Sequence, residues 1–434
     1  MRCVDSIDAA SVYAYRTHVQ NKREIPSTSD FPRYGEKFGV VGPGLMGLGL
    51  CHAAAAVGLH VALVGRDARA GSQGLERLAR DLDKRVERGR LDAQTRAVLL
   101  SAIAPAADDR ALADCGLVVE AVAEDREVKT EVLRRIEAAV SPDALIATNT
   151  STLPIGGLAA ALARPGRFIG LHFFSPVDRM ALVEVVVGHQ TDPATTQRAL
   201  DWVRRLGKKP IVVRDSPGFF TSRVFAAYLD EAVAMLAEGI APERIEAAAI
   251  TGGLPVGPLA MLDETGIALN WQQARQAKAD GLGDRASRAL AWPVLDRMVM
   301  LGRRGRREGA GFYDYPAIGA KEFWTGLAEL YPPRAQQPEP EAARRRLIHA
   351  QAMEAARCLE DGTVASVADA DAGSVLGLGF PASEGGVLSQ IERRGLAAFV
   401  AECDALADAH GERFRPSRWL RDRAAAGAGL DAGH

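Results

Sequence analysis

The chain has 434 residues, of which 47% are apolar and 25% charged, with a formal net charge of −2. That length suits roughly two to four domains, and the composition is that of an ordinary globular protein. Near-neutral charge, with no basic stripe interleaved with aromatics, argues against a nucleic-acid partner, and no stretch is apolar for long enough to span a bilayer.

Residues 1–35 lack a clear period and carry Pro26, Ser27, Thr28, Ser29 and Pro32; they read as an extension or linker. The start has neither a basic-then-apolar leader nor an acid-free transit pattern, and the end carries no targeting tail. Cys3, Cys51, Cys115, Cys358 and Cys403 are scattered, without the spacing of a zinc site or a disulfide framework. A reducing, cytoplasmic setting is expected.

The globular signal begins at Phe38. FGVVG is a short apolar run ending in glycine, as in a buried parallel strand, and a helical stretch follows over 45–57. Further strands are expected at 60–64, 117–122, 143–148, 167–174, 182–187 and 209–214, with helices between several of them. This alternation predicts a parallel sheet covered on both faces over 36–215. Beyond Asp215 the period becomes helical: Phe225, Tyr228, Leu229, Ala232, Met235 and Leu236 fall on one face, with Gly239 as a stop. A helical domain is therefore expected over 216–331. Within it, Arg303, Arg304, Arg306 and Arg307 read as a solvated loop. Pro332, Pro333, Pro338 and Pro340 mark a linker over 332–343, and a second helical domain, 344–434, opens with a helix over 344–359. The two helical halves echo one another. LAEGIAPERIEAAAITGGLPVG at 236–257 and LEDGTVASVADADAGSVLGLGFPASEGG at 359–386 share a leucine–acid–glycine start, an alanine-rich helix and a Gly-rich turn with Pro255 or Pro381. The reading is a duplicated domain.

Gly42-Pro-Gly44-Leu45-Met46-Gly47 is a G-x-G-x-x-G string between an expected strand and an expected helix. In that context it predicts dinucleotide binding: glycines let the backbone approach the pyrophosphate, and the helix N-terminus offers free N–H groups to it. The fingerprint also asks for an acid at the end of the second strand. Gly65 stands there, followed by Arg66 and Asp67. Either Asp67 serves the ribose of NAD, the reading taken, or Gly65 makes room for a 2′-phosphate held by Arg66, which would mean NADP.

NTST at 149–152, LHFFSPVDRMALVEV at 171–185, DSPGFFTSR at 215–223 and GGLPVGPLAMLDETG at 252–266 resemble the L-3-hydroxyacyl-CoA dehydrogenase family. With the duplicated helical domain, the resemblance is to the dehydrogenase part of the multifunctional fatty-acid oxidation proteins, over roughly 36–425. It implies an α/β Rossmann-type domain followed by two related all-helical 3-hydroxyacyl-CoA dehydrogenase C-terminal domains. It also implies an acyl-CoA substrate, a monomer or homodimer, and contact with other acyl-oxidation enzymes. Those larger proteins carry an enoyl-CoA hydratase as well, for which residues 1–35 leave no room, so none is expected here.

Oxidising a secondary alcohol needs a base for the hydroxyl proton, and histidine as a residue type exchanges protons near neutral pH. His172 ends an expected strand, where open α/β sheets place their ligands. Glu184 lies in the next β-like run, from which its carboxylate could orient the imidazole. The resemblance makes these two the catalytic pair. It makes Ser151 the serine that hydrogen-bonds the substrate oxygen, with Asn149 in the same motif, and places Glu124 and Lys129 near the nicotinamide ribose. The bland alternatives are a strand-to-helix cap for NTST and an exposed charged helix start for Glu124 and Lys129. Ser222 stands where the family usually has asparagine before the arginine matched by Arg223, and Ser175 where many members have asparagine; a serine hydroxyl at 222 reaches less far. No metal cluster is expected: His52, His60, His189, His349 and His410 are scattered. No nucleophile elbow for acyl transfer is present either. Two alternatives stand beside the dehydrogenase: an NADPH-dependent biosynthetic reductase, and a non-catalytic acyl-CoA- or dinucleotide-binding partner.

Overall fold

The structure is a computed structural model that describes residues 37–431. The extension read for residues 1–35 and the last three residues lie outside that range. The chain divides into two compact units between Ser216 and Pro217.

The first unit holds an eight-stranded sheet. Its strands are β1 (Lys37–Val41), β2 (His60–Val64), β3 (Ile103–Ala106), β4 (Leu117–Glu120), β5 (Leu145–Thr148), β6 (Phe168–Phe173), β7 (Leu182–Val187) and β8 (Lys209–Arg214). The order across the sheet is β3-β2-β1-β4-β5-β6-β7-β8, so the chain reverses direction across the sheet between β1 and β4, where dinucleotides bind in such folds. Helices α1 (Leu45–Ala56), α2 (Ala68–Glu87), α3 (Ala93–Ser101), α4 (Arg126–Ala139), α5 (Ile155–Ala159) and α6 (Pro193–Arg205) connect the strands. The central strands are apolar at nearly every position because both faces are covered: Phe38, Val40, Leu117, Val118 and Val119 are all fully buried. Aspartate side chains cap three of the α-helices. Asp67, Asp92 and Asp125 accept the backbone N–H of Ala70, Thr95 and Val128 at 2.7, 2.7 and 3.0 Å, satisfying donors that a helix leaves open.

Two expectations are corrected here. The sheet is not wholly parallel, since β7 pairs antiparallel with β6; the connection 174–181 is too short for a parallel crossover. The edge strand β3, with Pro105 in it, escaped the sequence reading because proline disguises strands and fits only at edges.

The second unit is mainly helical: α7 (Thr221–Ala237), α8 (Pro242–Thr251), α9 (Pro258–Thr265), α10 (Ile267–Ala279), α11 (Gly283–Ala286), α12 (Trp292–Met300), α13 (Gly326–Leu330), α14 (Pro340–Glu360), α15 (Val367–Leu378), α16 (Ser389–Arg394), α17 (Leu396–His410) and α18 (Arg418–Ala426). It also carries the two-residue strands β9 (Tyr313–Asp314) and β10 (Glu322–Phe323). The stretch 332–343 is not all linker: α14 starts at Pro340, because proline at the first helical position loses no hydrogen bond. Arg303 is not solvated. It is 9% exposed, donates to the Gly311 carbonyl at 2.6 Å, and lies 4.2 Å from the Trp324 ring centroid.

Contacts between the two helical halves come in reciprocal pairs. Arg223 binds Glu354 and Asp361, each at 2.8 Å. Arg346 binds Glu231 at 2.7 Å and Glu238 at 2.6 Å. The second set repeats the first with the halves exchanged, at the spacing that separates Gly239 from Gly362. A Cβ on Gly253 would meet Pro381 at 2.9 Å, and one on Gly379 would meet Pro255 at 3.0 Å. A contact in which i meets j while the mate of j meets the mate of i is the signature of a two-fold axis.

Candidate active site

The glycine string forms the turn from β1 into α1. Gly42 has φ +112°, and a Cβ there would lie 2.5 Å from the Ala121 carbonyl oxygen in the loop after β4; a Cβ on Gly47 would lie 1.8 Å from the Gly42 oxygen. Side chains are therefore excluded at both. Gly44 meets nothing within 4 Å, and Leu45 beside it is 79% exposed while Met46 is half-buried. Open backbone at a helix N-terminus, without a side-chain cap, is what a pyrophosphate needs. The residues present fit a dinucleotide at this end.

At the end of β2, Arg66 is exposed and its Nε stands 3.5 Å from Asp67. The Asp67 carboxylate caps α2 rather than standing free.

The loop after β4 gathers charge. Lys129, on α4, is 1% exposed, contrary to an exposed helix start, and its Nζ lies 2.9 Å from Glu120 and 3.2 Å from Glu124. Glu124 also accepts the Thr150 hydroxyl at 2.6 Å and the Ser151 backbone N–H at 3.1 Å. Burial alone would raise the Glu124 carboxyl; the Lys129 charge and these donors outweigh it and hold it below the ordinary glutamate value. A depressed carboxyl contributes stability above its ordinary value near 4.5, and that contribution is lost as pH falls below it. Thermal midpoints recorded from about pH 5 down to about pH 3 should therefore fall less steeply in Glu124→Gln than in the parent; equal slopes would remove Glu124 from the acid response.

Glu120 was missed by the sequence reading. It is fully buried, accepts the Thr148 hydroxyl at 2.6 Å and the Val122 N–H at 2.7 Å, and anchors Lys129. The signal was available: a glutamate ending an otherwise apolar buried strand must be paired.

His172 and Glu184 sit directly opposite one another across β6 and β7. The Nδ1 of His172 is 2.7 Å from Glu184 Oε2, with 7% and 0% of the two residues exposed. The carboxylate can only accept, so Nδ1 carries the proton and Nε2 is the basic nitrogen. Asn149 accepts the Phe173 N–H at 3.0 Å, tying the NTST turn to the residue after His172. Asn149, Ser151, Glu124 and Lys129 thus form one bonded set that meets β6 at its C-terminal end. Ser222 belongs to the other unit, on the first turn of α7.

The fold and this edge of the sheet define a dinucleotide-binding protein of one family. Residues 37–216 match the model of the 3-hydroxyacyl-CoA dehydrogenase NAD-binding domain, and 218–315 that of the same family's C-terminal domain. The chain belongs to the 3-hydroxyacyl-CoA dehydrogenase family. Among its relatives is the fatty acid oxidation complex subunit alpha of Shewanella amazonensis, 35% identical over 94% of this chain and 58% of that protein; the chain thus spans little more than half the length of such relatives. Among solved structures, the 3-hydroxybutyryl-CoA dehydrogenase of Escherichia coli is 27% identical, with a TM-score of 0.77 over 90% of this chain and 98% of that one. The (S)-3-hydroxybutyryl-CoA dehydrogenase of Ralstonia eutropha is 34% identical, with a TM-score of 0.60 over 65% of this chain and 99% of that one.

Proposed function

We propose that this chain is a 3-hydroxyacyl-CoA dehydrogenase that interconverts 3-hydroxyacyl and 3-ketoacyl thioesters with a nicotinamide dinucleotide, bound by the domain that the family's model describes as NAD-binding. The observation that carries the reading is the buried His172–Glu184 pair at 2.7 Å, set on the sheet edge that also carries the glycine turn.

The Gly42–Gly47 turn would hold the dinucleotide, which would supply the acceptor for the hydride of C3. His172 Nε2 takes the hydroxyl proton in oxidation and returns it to the carbonyl oxygen in reduction. Glu184 fixes the tautomer and stabilises the imidazolium that forms. Ser151 donates to the substrate oxygen, and Asn149 holds the turn that carries it. Glu124, held by Lys129, would lie at the nicotinamide ribose. Domain boundaries are read at 36–215, 216–331 and 344–434, the last a copy of the second, as the reciprocal ion pairs support. Cys51, Cys115, Cys358 and Cys403 are buried and, among the described residues, held in no disulfide, which fits a cytoplasmic setting.

The test is acetoacetyl-CoA reduction followed by dinucleotide absorbance. Turnover in the parent chain is expected. No turnover, with dinucleotide binding intact by calorimetry, would overturn the enzyme reading and favour a non-catalytic binding partner.

A further inference from the structure

The choice between the two nicotinamide dinucleotides falls at the ribose that adjoins the end of β2. Selecting NAD requires a carboxylate there to accept both ribose hydroxyls. The position is Gly65, and its surroundings admit nothing larger: a Cβ would lie 2.8 Å from Ala70 Cβ, 2.8 Å from Gly71 N and 3.0 Å from the Asp67 carbonyl oxygen. The first turn of α2 has closed onto the strand end, so an acid could enter only if that turn lifted. The next carboxylate, Asp67, is turned onto the same helix, with Oδ1 receiving the Ala70 N–H at 2.7 Å.

Beside Asp67, this end carries exposed positive charge. The side chain of Arg66 is 90% exposed, and its Nε reaches one carboxylate only at 3.5 Å. It stands two residues beyond Val64, whose carbonyl accepts the Gly42 N–H at 2.9 Å, and so lies beside the phosphate turn. Arg69 is exposed on the first turn of α2. Farther along that helix, Arg77 donates to the Pro43 carbonyl at 2.7 Å, and Gly74 packs against Pro43. Arg66 and Arg69 are thus exposed cations within four residues of Gly65, the position at which an NAD site would carry an acid.

We infer that the ribose end of this site selects a 2′-phosphate, so that NADP(H) is bound in preference to NAD(H), with Arg66 as the phosphate's partner. This rests on the dinucleotide-dependent dehydrogenase reading above. A guanidinium and a phosphate monoester pair through two parallel charged hydrogen bonds, whereas a ribose hydroxyl offers that cation no charge. Asp67 opposes the phosphate by like charge, a cost that its cap and its approach to Arg66 reduce.

The experiment is calorimetric titration of the full chain with NADPH and with NADH at one ionic strength, for the parent, Arg66→Gln and Asp67→Asn. The parent should bind NADPH about tenfold more tightly or better. Arg66→Gln should lower the NADPH-to-NADH affinity ratio by about tenfold, the loss of one charge-assisted pair. Asp67→Asn keeps a capping side chain and should raise that ratio. Tighter binding of NADH by the parent, or an unchanged ratio in Arg66→Gln, overturns the inference. Binding is read without turnover, so the two proposals fail separately. NADPH preference without acetoacetyl-CoA reduction sustains this inference and sinks the dehydrogenase reading; turnover with NADH preference does the reverse.

Discussion

Replacing His172 with alanine is expected to lower kcat for acetoacetyl-CoA reduction by about 10³-fold, within the range of about 10²–10⁴ that a positioned acid or base supplies. Glu184→Gln should fall in the same range for a different reason. Glu184 is fully buried and its Oε2 is 2.7 Å from His172 Nδ1. Glutamine keeps the volume but removes the anion, and its amide can donate to Nδ1, which favours the tautomer with the proton on the wrong nitrogen. The loss should appear in kcat far more than in KM, because neither side chain is asked to hold the acyl chain. Dinucleotide affinity, set at the glycine turn, should change less than about twofold in both variants. If either variant keeps more than about a tenth of the parent kcat, the pair is not the acid–base unit.

The second large effect is on stability. Glu231 is 1% exposed and holds Arg346, itself 3% exposed, as well as Arg413 at 2.6 Å. Removing the acid leaves a buried guanidinium with only the half-buried Glu238, and breaking a buried pair in this way costs about 3–5 kcal/mol. Glu231→Gln is expected to lose that much in urea unfolding of the helical unit. Glu354→Gln, its mate across the reciprocal contact, should lose somewhat less, because Arg223 is 15% exposed at its side chain and keeps Asp361. Replacing Glu231 and Arg346 together by methionine should recover most of the loss, since a well-packed apolar pair is about as stable as the ion pair it replaces. A Glu231→Gln variant within about 1 kcal/mol of the parent would show that these ions do not join the halves.

The two sites differ in how openly the sequence announced them. The glycine turn was legible because its chemistry is local: a tight turn, close backbone approach and a helix start all fall within six consecutive residues, 42–47. Successive β-like runs suggested His172 and Glu184 as a pair, and the resemblance made them one, because their partnership depends on strand direction. With a parallel β7 the register would differ; it is the short 174–181 connection that sets them face to face. Glu120 was overlooked because an apolar strand reads as core, and what pairs its carboxylate, Lys129 and Thr148, comes from a later helix and the neighbouring strand. Lys129, read as a surface charge by the bland alternative, is buried for the same reason.

By itself the sequence determined the alternation of apolar strands and helices, the dinucleotide turn, the change to helical period beyond residue 215 and the echo between the helical halves. All of these are properties of hydrophobic spacing and of glycine, which act over a few residues. Tertiary structure alone decided the direction of β7, the burial of Lys129 and Glu120, the reciprocal arginine–glutamate contacts and the closed space around Gly65. Each depends on which distant side chain fills the neighbouring volume, and that is fixed only when the elements within a unit pack.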